Sequence, residues 1–168
     1  PSGQVVARTG VSPHGQGSET AFAQIVADQL GVTPAQVRVL HGDTAVIPSG
    51  GGTGSTRGTV VGGSALYVVA QQARQKLSHI AADLLECPAE EIVFQDGRVF
   101  HRQRPAHSMT FAQLAAAACQ SQPLQFTDHF VLGAPYQNPH AFSAHVAVVE
   151  VDPDTGEVKI VRYVAVHD

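Results

Sequence analysis

Glycine is the residue that most restricts what this chain can fold into. Sixteen glycines occur in 168 residues, and nine crowd into two stretches: Gly10, Gly15 and Gly17, then Gly50, Gly51, Gly52, Gly54, Gly58 and Gly62, with Gly63 directly after. Glycine loses more backbone freedom on folding than any other residue, so such crowding marks backbone that bends sharply or lets something approach closely. Each stretch runs into the start of a predicted helix. A helix start leaves about four N–H groups without intrahelical partners and carries roughly half a positive charge. Glycines upstream let those groups close around an anion, commonly a phosphate. Ser12–Pro13–His14–Gly15–Gln16–Gly17–Ser18–Glu19–Thr20 offers one such start. Gly50–Gly51–Gly52–Thr53–Gly54–Ser55–Thr56–Arg57–Gly58–Thr59 offers a second and adds hydroxyls and a guanidinium. Either alone reads equally well as an ordinary loop before a helix; the pair favours an anion site.

The patterns around these stretches mix helices with strands. Gln4–Arg8 alternates as a strand. Ser18 is placed to cap a helix over Glu19–Leu30, with Phe22, Ile25, Val26 and Leu30 on one face and Gly31 closing it. Thr33–Pro34–Ala35–Gln36 has the capping-box form and leads into a strand at Val37–Leu40. Leu66, Val69, Ala73, Leu77, Ile80, Ala81 and Leu84 carry an apolar stripe through a long helix from about Thr59 to Leu85. Cys87–Pro88–Ala89–Glu90 repeats the proline turn before a strand at Ile92–Phe94, and Asp96–Gly97 suits a type I′ turn into Arg98–Phe100. Thr110 can cap a short helix to Cys119, Leu124–Leu132 reads as a strand, and Gly133–His140 as a loop. Ala144–Val151 and Val158–Val166 flank the turn Asp152–Gly156 and are apolar at nearly every position, so this hairpin is expected to be buried on both faces. The sum is an α+β fold: a two-layer single domain over 1–168, with a mixed or antiparallel sheet and a long helix.

Other chemistries fail on spacing or charge. A hydrophobic share of 43% and a charged share of 14% exclude a disordered chain. A net charge of −4 argues against nucleic acid as partner. The longest apolar runs fall well short of the ~20 residues that span a bilayer. No signal-like segment opens the chain, so a cytoplasmic protein is expected. Cys87 and Cys119 sit alone in apolar patterns and read as reduced core thiols. The nine histidines include no helical i, i+4 pair and no HExxH, so no direct metal ligand is expected. Arg98, His101, Arg102, Arg104 and His107 read as a solvated loop. Arg57 stands where a G-x-G-x-x-G would need glycine, no Gly-Lys-Ser/Thr follows, and there is no G-x-S-x-G elbow.

Three motifs in order resemble one family. Pro13–His14–Gly15–Gln16–Gly17–x–Glu19–Thr20, then Gly42–Asp43–Thr44, then Gly52–Thr53…Arg57–x–Thr59…Gly63 are similar to the large subunit of the molybdenum hydroxylases, the family of carbon monoxide dehydrogenase, aldehyde oxidase and xanthine dehydrogenase. The turn region Val149–Val158 fits the same likeness, which covers almost the whole chain. The resemblance implies part of the second cofactor-binding region, holding a molybdopterin that often carries a cytosine dinucleotide. It places Gly15, Gln16, Gly17, Glu19, Thr53, Ser55, Thr56, Arg57 and Thr59 around that cofactor. Ser18 departs from the histidine often found after Gly-Gln-Gly, and Gly58 removes a hydroxyl.

The same resemblance implies an internal slice of a longer subunit. The base of the hydroxylation lies beyond Asp168 in the family and the loop covering the metal before Pro1, so no catalytic residue is expected in this chain and the chain alone is expected to be inactive. Iron–sulfur clusters and FAD belong to partner subunits or domains, and the remaining partner is a small-molecule substrate. Two readings of another class compete: a stand-alone anion- or nucleotide-binding module, and a non-catalytic subunit-interface domain.

Overall fold

A computed structural model describes residues 2–47, 50–54, 57–119 and 142–167, so Ser55, Thr56 and the strand and loop expected over 124–140 lie outside the described residues. The chain forms two compact units, Pro1–Ala134 and Pro135–Asp168.

The first unit begins with strand β1 (Val5–Thr9), helix α1 (Ser18–Leu30), a short 3-10 turn at Pro34–Gln36 and strand β2 (Val37–His41). β1 and β2 pair in parallel, from Val5 opposite Val37 to Thr9 opposite His41. Parallel neighbours need a long crossover, and α1 supplies it. Ala7, Thr9 and Val37 face inward while Val6, Arg8 and Arg38 face out, as a two-residue period requires. Both strands end at the same edge, so both glycine stretches leave the sheet beyond its carboxyl ends. That edge is where open parallel sheets hold their ligands.

α1 buries Phe22, Ala23, Val26, Ala27 and Leu30. Its cap is Gly17 in the left-handed region (φ 79°), with no side-chain cap, whereas Ser18 is the first helical residue and is buried. The expected Ser18 cap is therefore displaced by one residue: the positive φ at the turn suits glycine and not serine. Gly31 (φ 64°) ends the helix as expected, and both its N–H and that of Val32 donate to the Ala27 carbonyl. Gln36 Oε1 accepts the Thr33 N–H at 3.0 Å, the side-chain half of the capping box read from the sequence.

The long helix differs at its start. Gly58–Gly63 winds as a π-helix, and only from there does helix α2 (Ser64–Leu84) take α geometry. A methyl on Gly62 would fall 2.6 Å from Val11 Cγ2, and one on Gly63 3.0 Å from Ile25 Cδ1. Missing side chains let this wide turn press against α1. Of the expected stripe, Leu66, Ala73, Leu77 and Ala81 are buried, with Ala70 beside them; Val69 and Ile80 are half-buried, and Leu84, at the last turn, is exposed.

Strands β3 (Ile92–Gln95), β4 (Arg98–His101) and β5 (Arg104–Thr110) form an antiparallel sheet, and helix α3 (Phe111–Cys119) follows. Asp96 and Gly97 both have positive φ (50° and 73°), as the type I′ turn demands. Thr110 and Gln113 cap α3 reciprocally, with Gln113 N–H to Thr110 Oγ1 at 3.1 Å and Thr110 N–H to Gln113 Oε1 at 2.8 Å. The basic stretch from Arg98 is not a solvated loop but β4 and β5. Arg104 and Pro105 disguise β5, which is an edge strand where proline and charge are tolerated. Within this sheet His101 is buried, accepts the Gln103 N–H on Nδ1, and lies 2.9 Å from Glu91 Oε2 through Nε2. Phe22, Val99 and Leu114 are the largest fully enclosed side chains of the core.

The second unit is the hairpin of β6 (Ser143–Val151) and β7 (Val158–His167), paired antiparallel with one irregularity at Val148/Val149. Asp152 Oδ1 accepts the N–H groups of Asp154 and Thr155, and Gly156 (φ 73°) completes the turn. These two backbone hydrogen bonds, Asp154's first, hold the Asp152 carboxyl below its ordinary pKa. Every residue of both strands is exposed, contrary to the expected burial. A two-stranded ribbon has no second layer of its own to cover either face.

Candidate functional site

The two glycine stretches meet. Thr53 Oγ1 donates to the Ser12 carbonyl at 2.7 Å across 41 residues of sequence. Gly50 lies flat on Gly10: a methyl there would fall 2.2 Å from the Gly10 carbonyl oxygen. Gly58 approaches both Thr53 and Val11. One surface at the carboxyl edge of β1 and β2 is therefore made from both loops.

That surface is rich in unused donors. With no side chain at the cap, the N–H groups of Ser18, Glu19 and Thr20 have no partner among the described residues; the first intrahelical bond is Ala21 N–H to Gly17 O at 3.1 Å. Gln16 turns its Oε1 back to accept the His14 N–H at 2.8 Å, leaving its amide N–H₂ as a donor. Arg57 donates its backbone N–H to Gly54 O at 3.1 Å, and its exposed guanidinium has no ion pair among the described residues. That guanidinium reaches across Gly51, where its Nη2 lies 3.3 Å from where a methyl would sit. Around Gly15, Gly17, Gly52 and Gly54 nothing stands within 4 Å of where a Cβ would be, so backbone is open to a ligand.

Of the residues expected around a cofactor, Gly15, Gln16 and Gly17 form the turn into α1, and Thr53 bridges the loops. Arg57 and Thr59 lie exposed at the start of the π-helix. Glu19 is occupied: its Oε1 lies 2.6 Å from His41 Nε2. Gly10 and Ser12 belong to the first glycine stretch but were not expected as contacts, and His41 was not anticipated. His41 stands immediately before the Gly42–Asp43–Thr44 motif, the one signal that could have pointed to it. No group of three or more His, Cys, Asp or Glu side chains is placed to hold a metal ion among the described residues.

This donor set fits a polyanionic, heteroatom-rich ligand: uncapped amides, a guanidinium and open glycine backbone, with few apolar walls. Comparison with known proteins agrees. The family model for the molybdopterin cofactor-binding domain matches residues 1–168. The chain is 32% identical to the carbon monoxide dehydrogenase large chain of Afipia carboxidovorans, over its full length and 21% of that protein. It is 32% identical to the aldehyde oxidoreductase molybdenum-binding subunit of Escherichia coli O157:H7, over 99% of the chain and 21% of that protein. The solved structure of reconstituted CO dehydrogenase from Oligotropha carboxidovorans superposes with a TM-score of 0.76 at 31% identity, over 99% of this chain and 21% of that one. The chain thus belongs to the molybdopterin cofactor-binding domain family, and it spans about a fifth of the length of the curated relatives it matches.

Proposed function

We propose that this chain is one part of the cofactor-binding region of a molybdenum-dependent oxidoreductase, and that its two glycine loops grip the phosphate-bearing end of a molybdopterin. The observation that carries this reading is the junction of the loops at Thr53 and Ser12, which turns two separate donor sets into one cradle. When bound, the cofactor supplies the two-electron redox chemistry with water as oxygen source, on an aldehyde, carbon monoxide or heteroaromatic carbon. The chain's own residues bind and orient. The N–H groups at the start of α1 and the Arg57 guanidinium take anionic oxygens, and the Gln16 amide donates to a pterin or phosphate acceptor. Ser55, Thr56 and Thr59 add hydroxyls. A proton-abstracting carboxylate comes from elsewhere in the subunit, so residues 1–168 by themselves form a binding domain without turnover.

The intact enzyme in this reading is cytoplasmic, joins the rest of a large subunit to iron–sulfur and flavin partners, and does not engage nucleic acid. No helix among the described residues is long and apolar enough to cross a membrane. The test is metal analysis of the intact protein. Arg57→Ala and Gln16→Ala are expected to lower bound molybdenum and pterin together. Full content in both variants would overturn the assignment and favour an interface role for the glycine loops.

A further inference from the structure

Glu19 stands at an awkward place for an anion site. It lies in the first turn of α1, with its side chain 59% exposed, beside the uncapped N–H groups proposed to receive phosphate. A carboxylate is favourable toward the helix dipole but repels an incoming anion. Its carboxylate has a partner: Oε1 lies 2.6 Å from Nε2 of His41, 22 residues away.

His41 is the last residue of β2, and the chain turns sharply after it. Gly42 has φ 77°, Asp43 Oδ1 accepts the Ala45 N–H at 3.0 Å, and the Asp43 carbonyl accepts the N–H groups of Val46 and Ile47. That turn begins the segment that brings Gly50 onto Gly10 and Thr53 onto Ser12. The first loop is thus joined to the second stretch at Ser12–Thr53, and the helix start that follows the loop is tied to the end of β2 at Glu19–His41.

We infer that Glu19 and His41 form a positioning pair that fixes the start of α1 against the chain leaving β2, so that Glu19 serves the cofactor site through His41 and not by touching the ligand. This inference rests on the cofactor reading above. It assigns a role to His41, and it gives the Glu19 carboxylate a fixed partner away from the ligand.

The test is a double-mutant cycle in the intact protein, reading molybdenum and pterin per polypeptide with the melting midpoint measured alongside. Glu19→Gln and His41→Gln are each expected to lower cofactor content about two- to tenfold, and the double variant no further, because both break one interaction. The exchanged pair, Glu19→His with His41→Glu, is expected to recover content even if either single variant lowers the melting midpoint. Loss in Glu19→Gln with full content in His41→Gln would overturn the inference, since Glu19 would then touch the ligand itself. Additive losses, an exchanged pair that fails to recover, or full content in both single variants would overturn it too. Gln16→Ala and Arg57→Ala separate the two claims: if they lose cofactor while the pair behaves wrongly, only the pairing fails.

Discussion

Thr53 Oγ1 and the carbonyl oxygen of Ser12, 2.7 Å apart, join two loops that the sequence separates by 41 residues. The hydroxyl donates and the carbonyl accepts, so the bond survives any change that keeps a hydroxyl. Thr53→Ser should leave stability within about 0.5 kcal/mol, whereas Thr53→Val should cost about 1 kcal/mol by leaving an acceptor without its donor. Denaturant unfolding of the intact protein checks the difference. In the proposed cradle, cofactor content should fall in Thr53→Val and not in Thr53→Ser.

Two glycines in the second stretch should respond oppositely to a methyl group. At Gly50 the methyl would meet the Gly10 carbonyl at 2.2 Å, so Gly50→Ala should destabilise by about 1–3 kcal/mol. Gly54 has nothing within 4 Å and no positive φ, so Gly54→Ala should leave stability unchanged or raise it by up to about 1 kcal/mol. If the open face at Gly54 is where ligand lies, the same variant should nonetheless lose cofactor. Melting midpoints and molybdenum content, measured on one preparation, separate the two effects.

Much of this framework was legible in the residues. The period of Leu66, Ala73, Leu77 and Ala81 gave α2, Asp96–Gly97 gave a hairpin, and Gly31 gave a helix end, because each reports on interactions within a few residues. What failed to show was set by distance. Nothing local distinguishes Gly50 from any loop glycine until Gly10 is brought against it. Strand β5 was hidden by Arg104 and Pro105, which an edge strand tolerates and a central strand does not. The burial expected for β6 and β7 assumed layers that a hairpin does not itself provide. At the site, glycine spacing marked both loops, but nothing local pairs Glu19 with His41, which comes from another element.

In the core, Leu114 on α3 is fully buried, as is Val99 on β4. Leu114→Ala should cost about 2–5 kcal/mol by removing apolar contact and leaving a cavity. The fall should appear in the denaturation midpoint without a change in the slope of the transition.

The hairpin turn carries a small pH dependence of known sign. Backbone donors from Asp154 and Thr155 hold the Asp152 carboxyl below its ordinary value of 3.8. The contribution to the turn is therefore present above that value and is lost as pH falls through the lower folded one. A carbon-detected NMR titration should place the Asp152 midpoint below 3.8. Asp152→Asn, which keeps an acceptor oxygen, should remove the acid-side transition while retaining the turn.

The convergence of both loops on one anionic guest is tested most directly by a crystal structure of the intact protein with molybdopterin bound. A single ligand should touch the N–H groups at the start of α1 and the Arg57 guanidinium at once, with phosphate oxygens at about 2.7–3.2 Å from those donors. A ligand that lies against neither, or against only one loop while the other faces bulk water, would contradict it.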